Sequence, residues 1–289
     1  MHSDNFKGSL LMIAAMALFA VEDMFIKLAS GALPSGQIVF VLGACGVPVF
    51  WALARARGEA IVTKKALHPA VLLRNLGEML GTLGFIIALA ALPLALVLAV
   101  MQAMPLVVTM GAALFLGESV GWRRWGAILV GFCGVLLVIR PASASFDPTA
   151  LWLILGVLGM GLRDLVSRAI PREFGNAQVS AWGLIAVTLL GGLMMVQGGA
   201  VTVARADMGW LAGGVAFGTA GYLAVTTAAR TGEVSIVAPF RYVRLVFAMI
   251  IGLVVFAEVP DFYTLLGAAI IVTSGLYAFM RQRARAARS

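Results

Sequence analysis

The sequence predicts an all-α integral membrane protein: ten transmembrane helices arranged as two five-helix inverted repeats. Three observations lead there. The 289 residues are 62% hydrophobic and only 12% charged, with a mean hydropathy of +1.02, whereas a soluble domain is nearer half apolar and a quarter charged. Apolar runs of about 20 residues, the length that crosses a bilayer as a helix, recur ten times. The second half of the chain repeats features of the first at a fixed offset of 141 residues.

The runs fall at approximately 8–30, 35–54, 69–90, 93–115, 122–140, 149–168, 177–198, 208–229, 234–257 and 262–281. They read as helices, because an open strand edge cannot be satisfied in lipid. The first run closes with "AVEDMFIKLAS" (residues 20–30), and each charge near the centre of a span costs about 2.5–3.5 kcal/mol on insertion scales. That run is too long, and carries acids where a small-residue cleavage site would stand, to read as a cleavable leader. The longest gap, from Arg55 to His68, is short and basic and leaves no room for a soluble domain. Thirty-three glycines suit helices that pack closely in a membrane.

Basic residues set the orientation. One set of loops holds Lys7, Arg55, Arg57, Lys64, Lys65, Arg123, Arg124, Arg168, Arg172, Arg230, Arg281, Arg283, Arg285 and Arg288; the opposite set holds Lys27, Arg140 and Arg205. The positive-inside rule then places both termini in the cytoplasm. The same distribution explains the formal charge of +8 without a nucleic-acid partner. Cys45 and Cys133 lie inside apolar runs and read as small packing residues. His2 and His68 sit at the edges of spans with no metal-ligand partner, so neither a metal nor a cofactor is expected.

At the offset of 141, Asp23 meets Asp164, Lys27 meets Arg168, Gly126 meets Gly267, Gly134 meets Gly275 and Arg140 meets Arg281; Glu118 meets Glu258 at 140. Residues 1–145 and 146–289 therefore read as two copies of a five-helix unit forming one transport unit. Five is odd, so the second copy enters the membrane the other way up. Inverted repeats mark alternating-access transporters, with the substrate near the midplane between the halves.

The stretch "LPLALVLAVMQAMPLVVTMGAALFLGESVGWRRWGAILVGFCGVLLVIRP" (92–141) resembles the ten-helix drug/metabolite transporter superfamily, EamA-type branch, and "FRYVRLVFAMIIGLVVFAEVPDFYTLLGAAIIVTSGLY" resembles the same unit. The small-residue helix, the internal Pro105, the "FLGE" helix end and the glycine-spaced helix after it carry the likeness. The resemblance implies a small-molecule transporter. Amino-acid exporters, among them the YddG type, and carriers of nucleotide-sugars, riboflavin or S-adenosylmethionine belong to the superfamily. It also implies that the fourth and ninth helices line the cavity with the first, third, sixth and eighth.

The charges inside the spans are Glu22, Asp23, Glu78, Asp164, Arg74, Arg163, Arg241 and Arg244, a neutral set that should face protein or an aqueous cavity. Asp23 with Lys27, and Asp164 with Arg168, are spaced i,i+4 with the acid first, which favours pairing along one helix and a scaffold role. Arg74 and Glu78 share that spacing within the polar, glycine-rich "RNLGEMLGTLG". Arg241 and Arg244 in "PFRYVRLVF" are i,i+3, share a face and repel. They need acids from other helices, such as Glu22 or Glu78, or an anionic group on the substrate. Pro239 removes a backbone donor beside them; the matching span of the first repeat carries Met101, Gln102, Met104 and Pro105. Glu22 has Arg163 at the matching place of the second copy, so the two are expected to border the central cavity near the pseudo-two-fold axis. Tyr222 and Tyr242 lie in spans with a hydroxyl to satisfy, and both are candidates to touch substrate.

A neutral cavity with both signs of charge suits a zwitterion, so amino acids head the substrate list, with export across a bacterial inner membrane as the leading function. Uptake of S-adenosylmethionine or riboflavin is the alternative. Glu22 or Glu78 is the candidate carboxylate for a coupling proton, and passive facilitation remains open beside it. A membrane-embedded enzyme is a remote alternative: there is no H-E-x-x-H, no Cys/His pair and no G-x-x-x-x-G-K-[ST]. A channel would call for a ring of like charges or a carbonyl filter. Since the repeat supplies both halves of the cavity, a monomer in the lipid bilayer suffices.

Overall fold

A computed structural model describes residues 2–118, 120–143, 146–171, 173–231 and 233–286. Arg172 and Arg288, two of the loop charges used for orientation, lie outside the described residues. Among the described residues, ten helices are long and apolar enough to cross a membrane. They are α1 (His2–Ser30), α2 (Ser35–Ala56), α3 (Pro69–Ala91), the pair α4 (Leu94–Met101) and α5 (Met104–Phe115), α6 (Trp122–Ile139), α7 (Leu151–Ser167), α8 (Asn176–Gly198), α9 (Arg205–Thr231), the series α10 (Val234–Val237), a 3₁₀ turn Ala238–Tyr242 and α11 (Val243–Phe256), and α12 (Phe262–Ala286). Each span read from hydropathy is present, with ends differing by a few residues.

The chain divides into two compact units, each drawing on both sequence halves. The first unit comprises residues up to Met24, Leu92–Ala150 and from Ala216 onward; the second comprises Phe25–Ala91 and Leu151–Val215.

Within the second unit, glycines bring backbones together. A Cβ on Gly77 would stand 2.7 Å from the Arg163 nitrogen, and one on Gly81 2.9 Å from the Met160 nitrogen, so α3 and α7 pack almost main chain to main chain. A Cβ on Gly36 would stand 2.6 Å from the Met194 Cβ, and one on Gly43 2.9 Å from the Thr188 nitrogen, joining α2 to α8 in the same way. Such contacts are how helices associate where lipid removes the hydrophobic drive between them.

Within the first unit, α6 and α12 meet through Gly134 and Gly267: a Cβ on either would lie 2.9 or 2.7 Å from the other's carbonyl oxygen. Both fourth spans of the repeat are broken, the first between Met101 and Met104 and the second at Ala238–Tyr242, with Pro105 and Pro239 just inside the resumed turns. The same two spans end alike. After α5, Gly117 takes φ 68° and the Glu118 N–H returns to the Ala112 carbonyl at 3.1 Å; after α11, Ala257 takes φ 53° and the Glu258 N–H returns to the Gly252 carbonyl at 2.9 Å. This left-handed closure satisfies helix-end carbonyls, and it recurs at the 140-residue offset of the two glutamates. The Glu258 carboxylate then accepts the Leu94 N–H at 2.7 Å, satisfying a donor at the start of α4. At the end of α6, Arg140 pairs with Asp261. Slight burial works against the Asp261 charge, but the Thr264 N–H and the Arg140 guanidinium outweigh it and hold this carboxyl below the usual carboxylate range.

Candidate functional site

The eight intramembrane charges divide between the units into two neutral sets of four. In the second unit all four are engaged. The Glu78 carboxylate accepts Arg74 Nη2 at 2.8 Å on one oxygen and Arg163 Nη1 at 3.1 Å on the other. Arg163 Nε donates to Asp164 at 2.8 Å. The glycine contacts of α3 and α7 make this possible, because Gly77 lets the Arg163 backbone come close beside Glu78. The Arg74 guanidinium lies over Gly183 of α8, where any side chain would displace it. Arg74 and Glu78 pair as their spacing predicts. Arg163 belongs to this network, while Glu22 lies in the first unit.

The set in the first unit is only half engaged. Arg244, in the opening turn of α11, grips Asp23 of α1: Nη2 stands 2.7 Å from each carboxylate oxygen and Nε 3.1 Å from one. The guanidinium also lies 5.3 Å from the Phe19 ring centre, one turn earlier on α1. Asp23 is 1% exposed and Arg244 27%. This corrects the pairing expected for Arg244. It draws its acid from another helix as charge repulsion requires, but that acid is Asp23, not Glu22 or Glu78. An aspartate and an arginine meet as a two-pronged fork, which outweighs the single contact a lysine one turn away would offer Asp23.

Glu22 and Arg241 each stand close in the chain to one member of that pair. Glu22 precedes Asp23 and lies within electrostatic reach of Arg244; its carboxylate rests against Gly218 of α9, where a Cβ would collide with it. Arg241 stands one residue short of a turn before Arg244, on the 3₁₀ segment, with an exposed side chain. Among the described residues neither makes an ion pair. Gln102, at the break after α4, reaches the Arg241 carbonyl through a long 3.5 Å contact, which brings the two broken spans together at this point. Met101 is half-buried beside it. Tyr242 turns inward onto Gly275 of α12, and its buried hydroxyl has no hydrogen-bond partner among the described residues. Tyr222 is half-buried on α9, next to Gly221, which packs against Phe19.

Sequence reasoning placed Asp23 in the scaffold between helices with Lys27 as its partner; the structure pairs it with Arg244 instead. The signal for that partner was present, since two repelling arginines needed an outside acid.

A membrane-crossing helical protein with broken spans that carry unneutralised charge has the build of a small-molecule carrier, in which discontinuous helices form the substrate site. The chain belongs to the EamA-like transporter family, whose model matches it twice, over residues 6–140 and 147–280. The second match begins 141 residues after the first and ends 140 after it, the two offsets read from the sequence. The chain is 30% identical over 207 residues to a riboflavin transporter of Rhizobium johnstonii, covering 71% of this chain and 68% of that one. It is 27% identical over 268 residues to a pseudopaline exporter of Pseudomonas aeruginosa, covering 92% and 94%. It is 26% identical over 225 residues to an S-adenosylmethionine uptake transporter of Rickettsia felis, covering 76% and 75%. A crystal structure 19% identical to it covers 98% of this chain and 99% of that chain with a TM-score of 0.62, a likeness of fold.

Proposed function

We propose that this transporter moves zwitterionic metabolites of the amino-acid type, in the export direction, by alternating access of two inverted five-helix halves. One observation carries the substrate class: among the described residues Glu22 and Arg241, opposite in charge, make no ion pair, and each stands within three residues of a member of the Asp23–Arg244 pair. Arg241 receives the substrate carboxylate and Glu22 its ammonium group, with Gln102, Met101, Tyr222 and Tyr242 shaping the space around them. The half-buried Glu22 carboxylate, set against Gly218, gains from a cationic partner, the exposed Arg241 guanidinium is open to an anionic one, and the substrate supplies both. Arg74, Glu78 and Arg163 hold the second unit together and bear on substrate through that frame.

A coupling proton belongs to the same reading. Both Glu78 oxygens are taken by guanidinium groups, so Glu22 is the carboxylate free to exchange a proton against the substrate's ammonium. Export is supported by the pseudopaline exporter, the relative among those above with the fullest coverage. The distribution of Lys and Arg supports cytoplasmic termini, the bacterial relatives an inner-membrane location, and the double family match a working monomer. S-Adenosylmethionine uptake is the second reading. That molecule carries an α-amino carboxylate, which Glu22 and Arg241 would hold in the same way.

Inhibition by modified substrates tests the zwitterion. In proteoliposomes, a transported amino acid should compete with itself but not with its N-acetyl or methyl-ester derivative. An imposed pH gradient should drive flux in the wild type and not in Glu22→Gln. Equal competition by both derivatives would sink the two-ended site.

A further inference from the structure

The segment joining α2 to α3 is an ordered structure of its own within the second unit, and transport has not used it. The Trp182 Nε1–H of α8 donates to the Ile61 carbonyl at 2.8 Å, and the Gln178 side chain donates to the Ala60 carbonyl. The Glu59 carboxylate accepts the Gln178 N–H at 3.1 Å at the start of α8, and it nests against Gly175, where a Cβ would collide with it. His68, Phe174 and Trp182 stack edge to face beneath, with ring centres 5.5 and 6.1 Å apart. A short 3₁₀ turn, Lys64–Leu67, completes the segment.

This frame holds outward what a loop normally hides. Val62 is 89% exposed and Leu67 71%. Arg55, Arg57, Lys64 and Lys65 are all exposed around them. Lys65 has Glu173 at 3.9 Å and the Phe174 ring at 5.1 Å, whereas Arg55, Arg57 and Lys64 have no acidic partner among the described residues. Glu59, the acid within the segment, is spent on α8. The segment leaves one span at Ala56 and enters the next at Pro69, and its middle is tied to the first two turns of a third. It therefore stays at the level of the helix ends, where the bilayer's headgroups lie.

We propose that residues 55–67 form a binding site for anionic phospholipid headgroups, with the three unpaired cations on the phosphates and Val62 and Leu67 entering the acyl boundary. Charge complementarity selects the occupant. Two exposed aliphatic side chains set among cations at the level of the helix ends suit the boundary between headgroups and acyl chains, and a zwitterionic headgroup gives three cations no net attraction. Basic clusters beside a span attract anionic lipid, and basic-apolar surfaces seat at the interface.

Native mass spectrometry of the purified full chain in mixed micelles counts the phosphatidylglycerol and phosphatidylcholine molecules it retains. The wild type should prefer phosphatidylglycerol. In Arg55→Gln/Arg57→Gln/Lys64→Gln that preference should fall roughly tenfold or more. Among the described residues these exposed side chains make no hydrogen bond or ion pair, so the variant should keep its helicity and thermal unfolding. Arg123→Gln, which removes a basic residue elsewhere, should leave the preference intact. Equal retention of both lipids by the wild type, an unchanged preference in the triple variant, or an equal loss in Arg123→Gln would overturn the site.

Discussion

Arg241 and Arg244 share a helix face and end in different states. Arg244 is held by three hydrogen bonds to Asp23 and by the Phe19 ring, while Arg241 makes no ion pair among the described residues. A buried pair costs much to break and little to replace as a whole, because removing one member strands the other charge. Asp23→Asn should therefore destabilise the protein by about 3–5 kcal/mol, whereas Asp23→Leu with Arg244→Met should recover most of that loss. Thermal unfolding in detergent measures both, and a double variant as unstable as the single one would show that the pair itself is not the cause. The sequence displayed the eight charges and their neutrality, but not their partners. Asp23 and Arg244 lie 221 residues apart, and which acid an arginine reaches depends on which helices become neighbours. Short-range pairs such as Arg74 with Glu78 were legible because helix geometry alone sets them.

At the scale of elements, the repeated helix ends carry most of the information. Gly117 and Ala257 occupy the same left-handed position of the two matched spans, at φ 68° and 53°. The glycine is at ease there and the alanine is strained. Ala257→Gly should raise stability by about 0.5–1 kcal/mol, since relief of that strain exceeds the added freedom of the unfolded chain. A fall in unfolding temperature would mean that the Ala257 methyl group contributes packing worth more than the strain. Span positions were legible from hydropathy because lipid imposes both length and composition. The breaks in the fourth and ninth spans were legible only as prolines. The contacts made at the breaks, Gln102 with the Arg241 carbonyl and Tyr242 with Gly275, join residues far apart in the chain, which no local pattern encodes.

At the scale of the whole molecule, two neutral sets of charges do different work. The set of the second unit is joined by ion pairs among its own members and fits a frame. The set of the first unit keeps one charge of each sign in reserve, on α1 and on the broken ninth span, and that reserve is the core of the functional reading. A charge-assisted contact to a substrate carboxylate contributes about 1.5–3 kcal/mol, roughly 10- to 150-fold in affinity. Saturable uptake of radiolabelled amino acids into proteoliposomes, wild type against Arg241→Ala, measures it directly. The account predicts transport in the wild type and at least a tenfold rise in KM in the variant, with folding unchanged because, among the described residues, Arg241 pairs with no acid that would be stranded. An Arg241→Ala protein that transports amino acids as the wild type does, or a folded wild type that moves none, would contradict it.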